Sequence, residues 1–337
     1  MNNFYEPLKT ELTKKFSREW LNIDSEVEVN KICKQLQKCI FEGLHKQGGV
    51  VGISGGIDSS IVLALMVKAI GADRVLGVLL PEKESDPESS TLAQSLAKKL
   101  GVMTVNENIS DALDGFGCYK RRDEAINRVI PEYHQPGWAA KIVLPPNLLD
   151  QSTLNFYSLV VTSPDGQEIS KRLPKAEFQQ IVAASNFKQR SRMCFLYFHA
   201  EAHNYAVIGT ANKNEHDLGF FVKWGDGGVD ISPIEHLFKT QVYQIAQFLN
   251  IPQEIQTRIP TTDTYPGGST QEEFFYRIPF DILDTVWLGY ERGVSADEIA
   301  RVLDLQTEQV SRVIADIQSK IHATNYLRTP PLELDQY

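Results

Sequence analysis

The chain has 337 residues, of which 42% are hydrophobic and 23% charged, which suits a soluble globular protein with one large α/β domain or two small ones. Its net charge of −9 and pI near 5.4 argue against a general binder of nucleic acids or membrane surfaces. The sequence shows no apolar run of the ~18 residues that a membrane span needs, no signal-peptide pattern, and no metal-like or disulfide-like cysteine spacing. We therefore expect a reduced, cytoplasmic protein.

The N-terminal part of the chain predicts two helices before the first strand. Residues 1–24 are amphipathic, which favours a helix. Asp24 or Ser25 is a suitable cap for a second helix that we expect to reach about Gln47. Helices of this kind cover a sheet and carry no chemistry themselves.

A glycine-paired loop follows the first apolar strand and opens directly into an apolar helix. The sequence there is Gly52-Ile53-Ser54-Gly55-Gly56-Ile57-Asp58-Ser59. Two adjacent glycines permit a tight turn with its N–H groups near a ligand, and the serine hydroxyls and helix N-terminus favour phosphate. Asp58 would repel a phosphate unless a cation lay between them, so the loop predicts a nucleotide bound with Mg²⁺. An ordinary strand-to-helix turn is the alternative. A Walker A loop is excluded because no lysine follows the glycines.

Alternating strands and helices predict a doubly wound α/β fold, a parallel sheet with helices on both faces. Residues 74–81 and 102–106 form short apolar runs, separated by a helix over 89–100 that Gly101 ends. Continuous apolar runs are typical of strands buried on both faces. Ligands of such sheets bind beyond the carboxyl ends of the strands, where the glycine-paired loop falls.

Residues 111–185 are the least regular part of the sequence, and we interpret them as an inserted subdomain or lid. Two β-rich runs, 156–161 and 168–173, flank Pro164-Asp165-Gly166 and predict a β-hairpin. The sequence does not indicate what the insertion does. We treat residues 1–337 as one domain that carries this insertion and a helical tail over 286–337.

Regular elements return after the insertion. We expect a helix from Asn186 to His203, a strand over 205–210 and a helix from Lys239 to Leu249. Two capped helices follow between Val294 and Lys320. Such a pair could be a DNA-reading helix-turn-helix, but its second helix is hardly basic, so DNA binding is disfavoured.

Five motifs, in this order, resemble those of the ammonia-dependent NAD synthetases. They are Gly-Ile-Ser-Gly-Gly-Ile-Asp-Ser at 52–59, Asn-Phe-Lys-Gln-Arg-Ser-Arg-Met at 186–193, Gly-Thr-Ala-Asn-Lys-Asn-Glu at 209–215, Gly-Phe-Phe-Val-Lys-Trp-Gly-Asp-Gly-Gly at 219–228 and Asp-Ile-Ser-Pro-Ile-Glu-His-Leu-Phe-Lys-Thr-Gln-Val at 230–242. The resemblance implies an adenine-nucleotide alpha-hydrolase-like fold and a homodimer. It also implies an amide-forming ligase with ATP as co-substrate. ATP would adenylate the nicotinate carboxylate of deamido-NAD, and ammonia would displace AMP to give NAD, AMP and pyrophosphate.

The resemblance also assigns roles to individual residues. Asp58 and Glu215 would hold Mg²⁺, and Asp58 and Lys239 would be the catalytic residues. The residues implied to bind ATP are Gly52, Ile53, Ser54, Gly55, Gly56, Ile57, Asp58, Ser59, Thr210, Lys239 and Thr261. Those implied to bind the dinucleotide substrate are Arg190, Lys223 and Asp230. Taken alone, each charged residue could equally be a solvated surface group.

Three departures from the family pattern concern the substrate side. Tyr326-Leu327 stands before Pro330-Pro331 where the family has a His-Lys pair, although Arg328 could supply the missing charge. The segment that follows Thr261 also differs, and the insertion 111–185 is longer than usual. Two alternatives therefore stay open. One is the same chemistry on another carboxylate, such as nicotinate mononucleotide or a metabolite acid, and the other is a non-catalytic ATP-binding regulator.

The expected nitrogen donor is free ammonia. The chain has no room for an additional domain of glutaminase size, and no cysteine lies in an evident nucleophile motif. A separate glutaminase partner is the alternative source.

Overall fold

The computed structural model describes residues 15–144, 148–149, 156–259, 270–271 and 275–334. Within them lie seven strands: β1 (Gly49–Gly52), β2 (Val75–Leu79), β3 (Met103–Asn106), β4 (Ala139–Val143), β5 (Ser158–Thr162), β6 (Glu168–Arg172) and β7 (Ala206–Ile208). The same residues contain the helices α1 (Ser25–Gln37), α2 (Ile57–Ile70), α3 (Pro87–Leu100), α4 (Ser110–Gly115), α5 (Cys118–Val129), α6 (Lys175–His203), α7 (Lys213–Leu218), α8 (Lys239–Phe248), α9 (Gln253–Gln256), α10 (Phe280–Glu291), α11 (Ala296–Leu303), α12 (Thr307–Ala323) and α13 (Asn325–Arg328).

The central sheet has four parallel strands in the order β3-β2-β1-β7. Val50 of β1 lies opposite Leu76 of β2 on one side and Val207 of β7 on the other. From β1 the chain moves outward through β2 and β3, and then returns to the opposite side of β1 at β7. This reversal of strand order leaves a crevice at the carboxyl ends of β1 and β7, the usual ligand site of such sheets.

Helices cover both faces of this sheet, as the continuous apolar runs predict. Val51 and Leu79 belong to an apolar cluster with buried side chains of α1, α2, α3 and α8. On the opposite face, Val50 packs in a second cluster with Met193 and Leu196 of α6. Successive residues of β1 therefore serve different layers, because side chains alternate along a strand. The doubly wound α/β fold is confirmed.

Residues 15–24 are less helical than the amphipathic pattern of residues 1–24 predicts. Residues 1–14 lie outside the described part of the chain, and the following residues form only a short 3-10 turn over Arg18–Leu21. Phe16 and Leu21 are buried in the apolar cluster of the C-terminal helices, so the pattern reflects burial without a helix. Asp24 caps α1 by accepting a hydrogen bond of 3.0 Å from the N–H of Val27, as predicted. The helix continues as a π-helical stretch to Gly43, short of the predicted Gln47.

The insertion is more regular than its sequence predicts. The hairpin of β5 and β6 is confirmed, and β4 extends it to a three-stranded antiparallel sheet. β4 alternates buried Ala140 and Ile142 with partly exposed residues, a short pattern that the sequence analysis missed. The sheet and α5 share their own apolar cluster, which includes Ile126 and Val161.

Helix α6 begins eleven residues earlier than predicted, at Lys175 instead of Asn186. Pro174 precedes it, a residue type that suits the start of a helix. Ile181, near its N-terminal end, is buried in the core of the insertion, whereas Met193 and Leu196 are buried against the central sheet. One continuous helix therefore connects the two cores.

The C-terminal helices form a separate apolar cluster around the fully buried Trp287 of α10. Val310, Val313 and Ile317 of α12 are buried in this cluster, so the apolar face of α12 is used for packing. Among the described residues, no helix combines the length and the apolar character that crossing a membrane requires.

A buried network of charged groups connects the insertion to the loop that follows β2. Lys188 of α6, which is fully buried, donates hydrogen bonds of 2.9 Å to Glu82 and 2.8 Å to Glu84. Arg122 of α5 donates two more to Glu84, at 2.6 and 2.8 Å. Burial alone would raise the pKa of Glu84, but the hydrogen bonds from Arg122 and the charge of Lys188 lower it to about 2. The network therefore fixes the position of this loop.

We expect Lys188→Met to destabilise the fold by about 3–5 kcal/mol, because Glu82 and Glu84 would be left with one partner fewer in a buried environment. Urea denaturation measures the difference. Lys120→Met is the matched control, since Lys120 is exposed and lies 4.0 Å from Glu124, so its loss should change stability by less than about 1 kcal/mol. Equal effects of the two substitutions would contradict the expectation.

Candidate active site

The glycine-paired loop lies between the end of β1 and the start of α2, at the mouth of the crevice. Gly55 has a positive φ of 73°, a conformation that L side chains rarely adopt. A Cβ atom at Gly55 would collide with the carbonyl oxygen of Ser89 at the start of α3. Both the turn and the close approach of α3 therefore require glycine at this position.

Serine hydroxyls hold the loop in shape. The N–H of Ser54 donates a 3.3 Å hydrogen bond to the hydroxyl of Ser59, which in turn donates to the carbonyl of Gly56 at 3.1 Å. Ser60 donates to the same carbonyl at 2.8 Å. These bonds fix the loop at the N-terminal end of a 14-residue helix, where the helix dipole favours an anion.

Asp58 lies in the first turn of α2 and contacts two residues from other elements. Its Oδ1 accepts a 2.9 Å hydrogen bond from Asn212, and its Oδ2 forms an ion pair with the ammonium of Lys239. Lys239 begins α8 and is fully buried. Burial alone would lower the pKa of Lys239, but the charges of Asp58 and Glu215 outweigh it and raise the pKa. Lys239 therefore stays a cation beside the loop.

Glu215 reaches the same place from α7. Asn212 and Glu215 form a reciprocal capping box, in which the N–H of Glu215 donates a hydrogen bond of 3.1 Å to the side chain of Asn212. Gln271 donates a further hydrogen bond of 3.1 Å to the Glu215 carboxylate. Burial and the neighbouring charge of Asp58 raise the pKa of Glu215 to about 8, against the opposing effect of Lys239. The site holds two carboxylates that repel each other and would gain from a further positive charge.

This pair of carboxylates suits Mg²⁺ better than a metal held by protein alone. Among the described residues, no group of three or more His, Cys, Asp or Glu side chains could hold a metal ion. Mg²⁺ is usually bound by one or two carboxylates together with phosphate oxygens and water. Asp58 and Glu215 beside a phosphate-binding loop fit that arrangement, and the raised pKa of Glu215 is the observation that favours a cation there.

A second layer of hydrogen bonds supports Lys239. Its backbone N–H donates to Asn214 at 2.9 Å, and Asn214 donates to Asp284 of α10 at 2.6 Å. Asp284 also accepts a 2.9 Å bond from the N–H of Thr240. Burial raises the pKa of Asp284 to about 6 in spite of these donors. The sequence analysis missed Asn214 and Asp284, and Asp284 carries no motif that could have identified it.

Two cavities meet at the loop. The smaller, of about 210 Å³, is lined by the ends of β1 and β2, by α6 and by the predicted ATP residues Gly52, Ile53, Ser54 and Thr210. The larger, of about 680 Å³, contains Asp58 and Glu215 in its wall, with Ser54, Gly56, Ile57, Ser59 and Thr210. The structure thus brings together most of the residues assigned to ATP. Thr261 lies outside the described residues.

Two of the three predicted substrate residues line the larger cavity. Arg190 donates a 3.3 Å hydrogen bond to the carbonyl of Lys223, and both side chains belong to the cavity wall. The ammonium of Lys223 donates to the carbonyls of Tyr326, at 2.8 Å, and Thr329. Asp230 is placed differently, next to β7, where it accepts hydrogen bonds from the hydroxyl of Tyr197 and the N–H of Val207.

The C-terminal departure from the family pattern is part of this wall. Tyr326 and Leu327 line the larger cavity. Arg328, which could have replaced the missing basic pair, donates hydrogen bonds of 2.9 Å to the carbonyls of His216 and Ile321. These contacts hold the C-terminal segment against α7 and α12.

Asp226 is a further acidic residue of the site that the sequence analysis did not single out. It lines both cavities and a third of about 270 Å³ next to them, and it accepts a 2.8 Å hydrogen bond from the N–H of Val222. Burial raises its pKa to about 6, against the effect of this backbone donor. Its place in the glycine-rich motif at 219–228 was the available signal.

We expect Gly55→Ala to weaken ATP binding at least tenfold, because the loop must shift to relieve the collision with Ser89. Gly166→Ala is the matched control. Gly166 also has a positive φ, of 85°, but a Cβ atom added there would meet nothing within 4 Å. This glycine lies far from Gly55 along the chain, in the β5–β6 turn. Calorimetric titration with ATP measures both. Unchanged ATP affinity in Gly55→Ala would contradict this assignment of the loop.

Known proteins resemble this chain over most of its length. The NAD synthase family model matches residues 28–130 and 153–331. The NH(3)-dependent NAD(+) synthetase of Rhizobium meliloti (strain 1021) is 47% identical over 316 residues, which cover 94% of each chain. The protein of the same name from Thermotoga maritima is 32% identical over 296 residues, 88% of this chain and 95% of that one.

Solved structures share the fold at lower identity. The NH3-dependent NAD synthetase of Campylobacter jejuni superposes with a TM-score of 0.60 at 22% identity, over 93% of this chain and all of that chain. The NMN synthetase of Francisella tularensis gives the same TM-score and identity, over 93% of this chain and 99% of that chain. The family model and the curated relatives together show that the chain belongs to the NAD synthase family.

Proposed function

We propose that this protein is an ammonia-dependent ligase that adenylates the nicotinate carboxylate of deamido-NAD and converts it to NAD, with release of AMP and pyrophosphate. The observation that carries the proposal is the convergence of Asp58, Glu215 and Lys239 at a phosphate-binding loop. The curated relatives, named as NH(3)-dependent NAD(+) synthetases, support it. ATP is the co-substrate.

The two cavities divide the substrates between them. ATP would occupy the smaller cavity with its phosphates over the loop, since that cavity is lined by the ends of β1 and β2. The dinucleotide would occupy the larger, which has the volume of an ordinary ligand site. Arg190 and Lys223 in its wall are cations suited to a pyrophosphate group. Asp58 and Glu215 lie where the two ligands would meet.

Adenylation requires that negative charge on the phosphates be neutralised. Mg²⁺, which Asp58 and Glu215 would hold, supplies such neutralisation when it is bound. Lys239 is a permanent cation whose position is set by its burial and by the bonds of its backbone to Asn214. It would stabilise the charge that develops on the phosphates as the carboxylate oxygen attacks and pyrophosphate leaves. The protein groups of the site are preorganised, because Asp58, Glu215 and Lys239 already lie together before a ligand binds.

Amide formation requires a neutral amine. The nitrogen of ammonia attacks the acyl carbon, the bond to the AMP oxygen breaks, and one proton leaves the nitrogen. Asp226 lines all three cavities and has a pKa of about 6, so it is mostly ionised at neutral pH and can accept that proton. We include Asp226 in the proposal as the general base.

Mg²⁺, a homodimeric assembly and a cytoplasmic location complete the proposal. The strongest alternative substrate is nicotinate mononucleotide, because Tyr326 and Leu327 replace the family's basic pair at the wall of the larger cavity. A non-catalytic regulator is disfavoured, since a sensor of ATP has little need for two carboxylates and a buried lysine around its phosphates.

The direct test is incubation of the pure protein with ATP, Mg²⁺, ammonium and deamido-NAD. We expect equal amounts of AMP and NAD, measured by chromatography, and no NAD without ammonium. AMP formation with nicotinate mononucleotide but not with deamido-NAD would assign the alternative substrate. ATP binding without AMP formation from either acid would favour the regulator.

We expect Asp58→Asn and Glu215→Gln each to lower the rate of AMP formation by at least 100-fold, because each removes a carboxylate that would hold the Mg²⁺ needed to neutralise the phosphates. Asp58→Asn also leaves the buried Lys239 without its ion-pair partner, so its thermal stability must be measured alongside. Glu215→Gln keeps that ion pair and separates the two effects. A folded Glu215→Gln variant with wild-type activity would contradict the proposed magnesium site.

A further inference from the structure

One face of helix α6 runs along the larger cavity. Phe178, Val182, Asn186, Gln189 and Arg190 recur at helical spacing, and all of them line it. Gln189 also lines the smaller cavity, so it marks the junction of the two. Phe178 lies eleven residues from Gln189 along the helix, a rise of roughly 16 Å. The larger cavity therefore extends from the reacting groups into the insertion.

The polarity of this face changes along its length. Near the junction it presents the amides and the cation of Asn186, Gln189 and Arg190. At the far end it presents Val182 and Phe178, which are apolar. A matching ligand has a charged part near the reacting groups and a flat apolar part at the far end.

The far end carries a pair of stacked aromatic rings. Tyr157, which precedes β5, lies parallel to Phe178 with ring centroids 4.3 Å apart and an interplanar angle of 17°. Both rings line the cavity and are only partly buried, at the edge of the insertion's apolar core. Aromatic platforms of this kind hold the bases of nucleotides, because every base offers a flat π face.

Charged groups outside the insertion also act on the hydroxyl of Tyr157. Burial raises the pKa of its hydroxyl, and the charge of Asp316 on α12 raises it further, with Arg277 opposing. The ring itself is fixed by its packing against Phe178 and the apolar core of the insertion.

We propose that the second base of the dinucleotide stacks on an outer face of the Tyr157–Phe178 pair, so that the insertion selects dinucleotides over mononucleotides. This inference rests on the proposed function, because it places the carboxylate of the substrate beside Asp58 and Glu215. The pyrophosphate would then lie along the polar part of α6, and the adenine base would reach the aromatic pair. A mononucleotide ends before the pair and gains nothing from it.

The test compares Phe178→Leu with wild type on two substrates. Loss of a stacking ring should raise KM for deamido-NAD about tenfold or more, with kcat and KM for ATP unchanged. The kinetics of nicotinate mononucleotide should not change, whether it is measured as a substrate or, if it is not turned over, as a competitive inhibitor. Leucine keeps the site apolar, which limits any loss of stability; a melting curve checks it.

Two control variants make the result specific. Phe198→Leu removes an exposed ring on the same helix, away from the residues that line the cavities, and should leave every constant unchanged. Tyr157→Phe keeps the ring and removes only the hydroxyl, so KM for deamido-NAD should stay within about twofold of wild type.

Three results would overturn the inference. The first is an unchanged KM for deamido-NAD in Phe178→Leu, and the second is an equal loss of affinity for the mononucleotide. The third is a tenfold rise in KM in Tyr157→Phe, which would assign the effect to the hydroxyl. Wild-type protein that forms no NAD from deamido-NAD would overturn the proposed function as well.

Discussion

The structure of the site depends on one buried cation. Lys239 has no access to solvent, and its ammonium lies against Asp58 while the carboxylate of Glu215 stands near. A buried ammonium is tolerated only where carboxylates compensate its charge, so α2, α7 and α8 must meet at this point. Asn212 connects two of these helices, since it caps α7 and also donates a hydrogen bond to Asp58. The packing of these three helix ends therefore positions the groups of the site.

The site holds one more carboxyl group than lysine. Burial, and then the neighbouring charge of Asp58, raise the pKa of Glu215 to about 8, so this group keeps a proton at neutral pH unless a cation binds beside it. Burial also raises the pKa values of Asp226 and Asp284, each to about 6. Ionising these buried groups costs free energy, which a cation bound beside them would offset. Perturbed groups of this kind concentrate at functional sites.

Much of this could be predicted from the sequence. The apolar runs, Gly101 and the cap Asp24 predicted the central sheet and its helices, because local patterning decides such elements. The loop at 52–59 and Glu215 were identified by their motifs, and the structure brings them together. The family was predicted from the same motifs and is confirmed.

What the sequence could not provide depends on contacts between distant residues. Asp284 supports Lys239 through Asn214, a connection over 70 positions that leaves no local pattern. The buried network of Lys188, Glu82 and Glu84 is similar, since each member alone is typical of a surface residue. The insertion was judged irregular because its strands are short and its core is assembled from separate segments. Asp230, which the resemblance assigned to substrate, lies beside Tyr197 next to β7, and its role stays a prediction.

The continuity of α6 has a consequence for any attempt to shorten this chain. Its 29 residues pass without interruption from the core of the insertion to the central sheet. The insertion is therefore not a cassette that can be excised at two loops, because one of its boundaries falls inside a helix. A shortened protein would have to restart α6 with a new N-cap and cover the apolar side chains that the deleted core had buried.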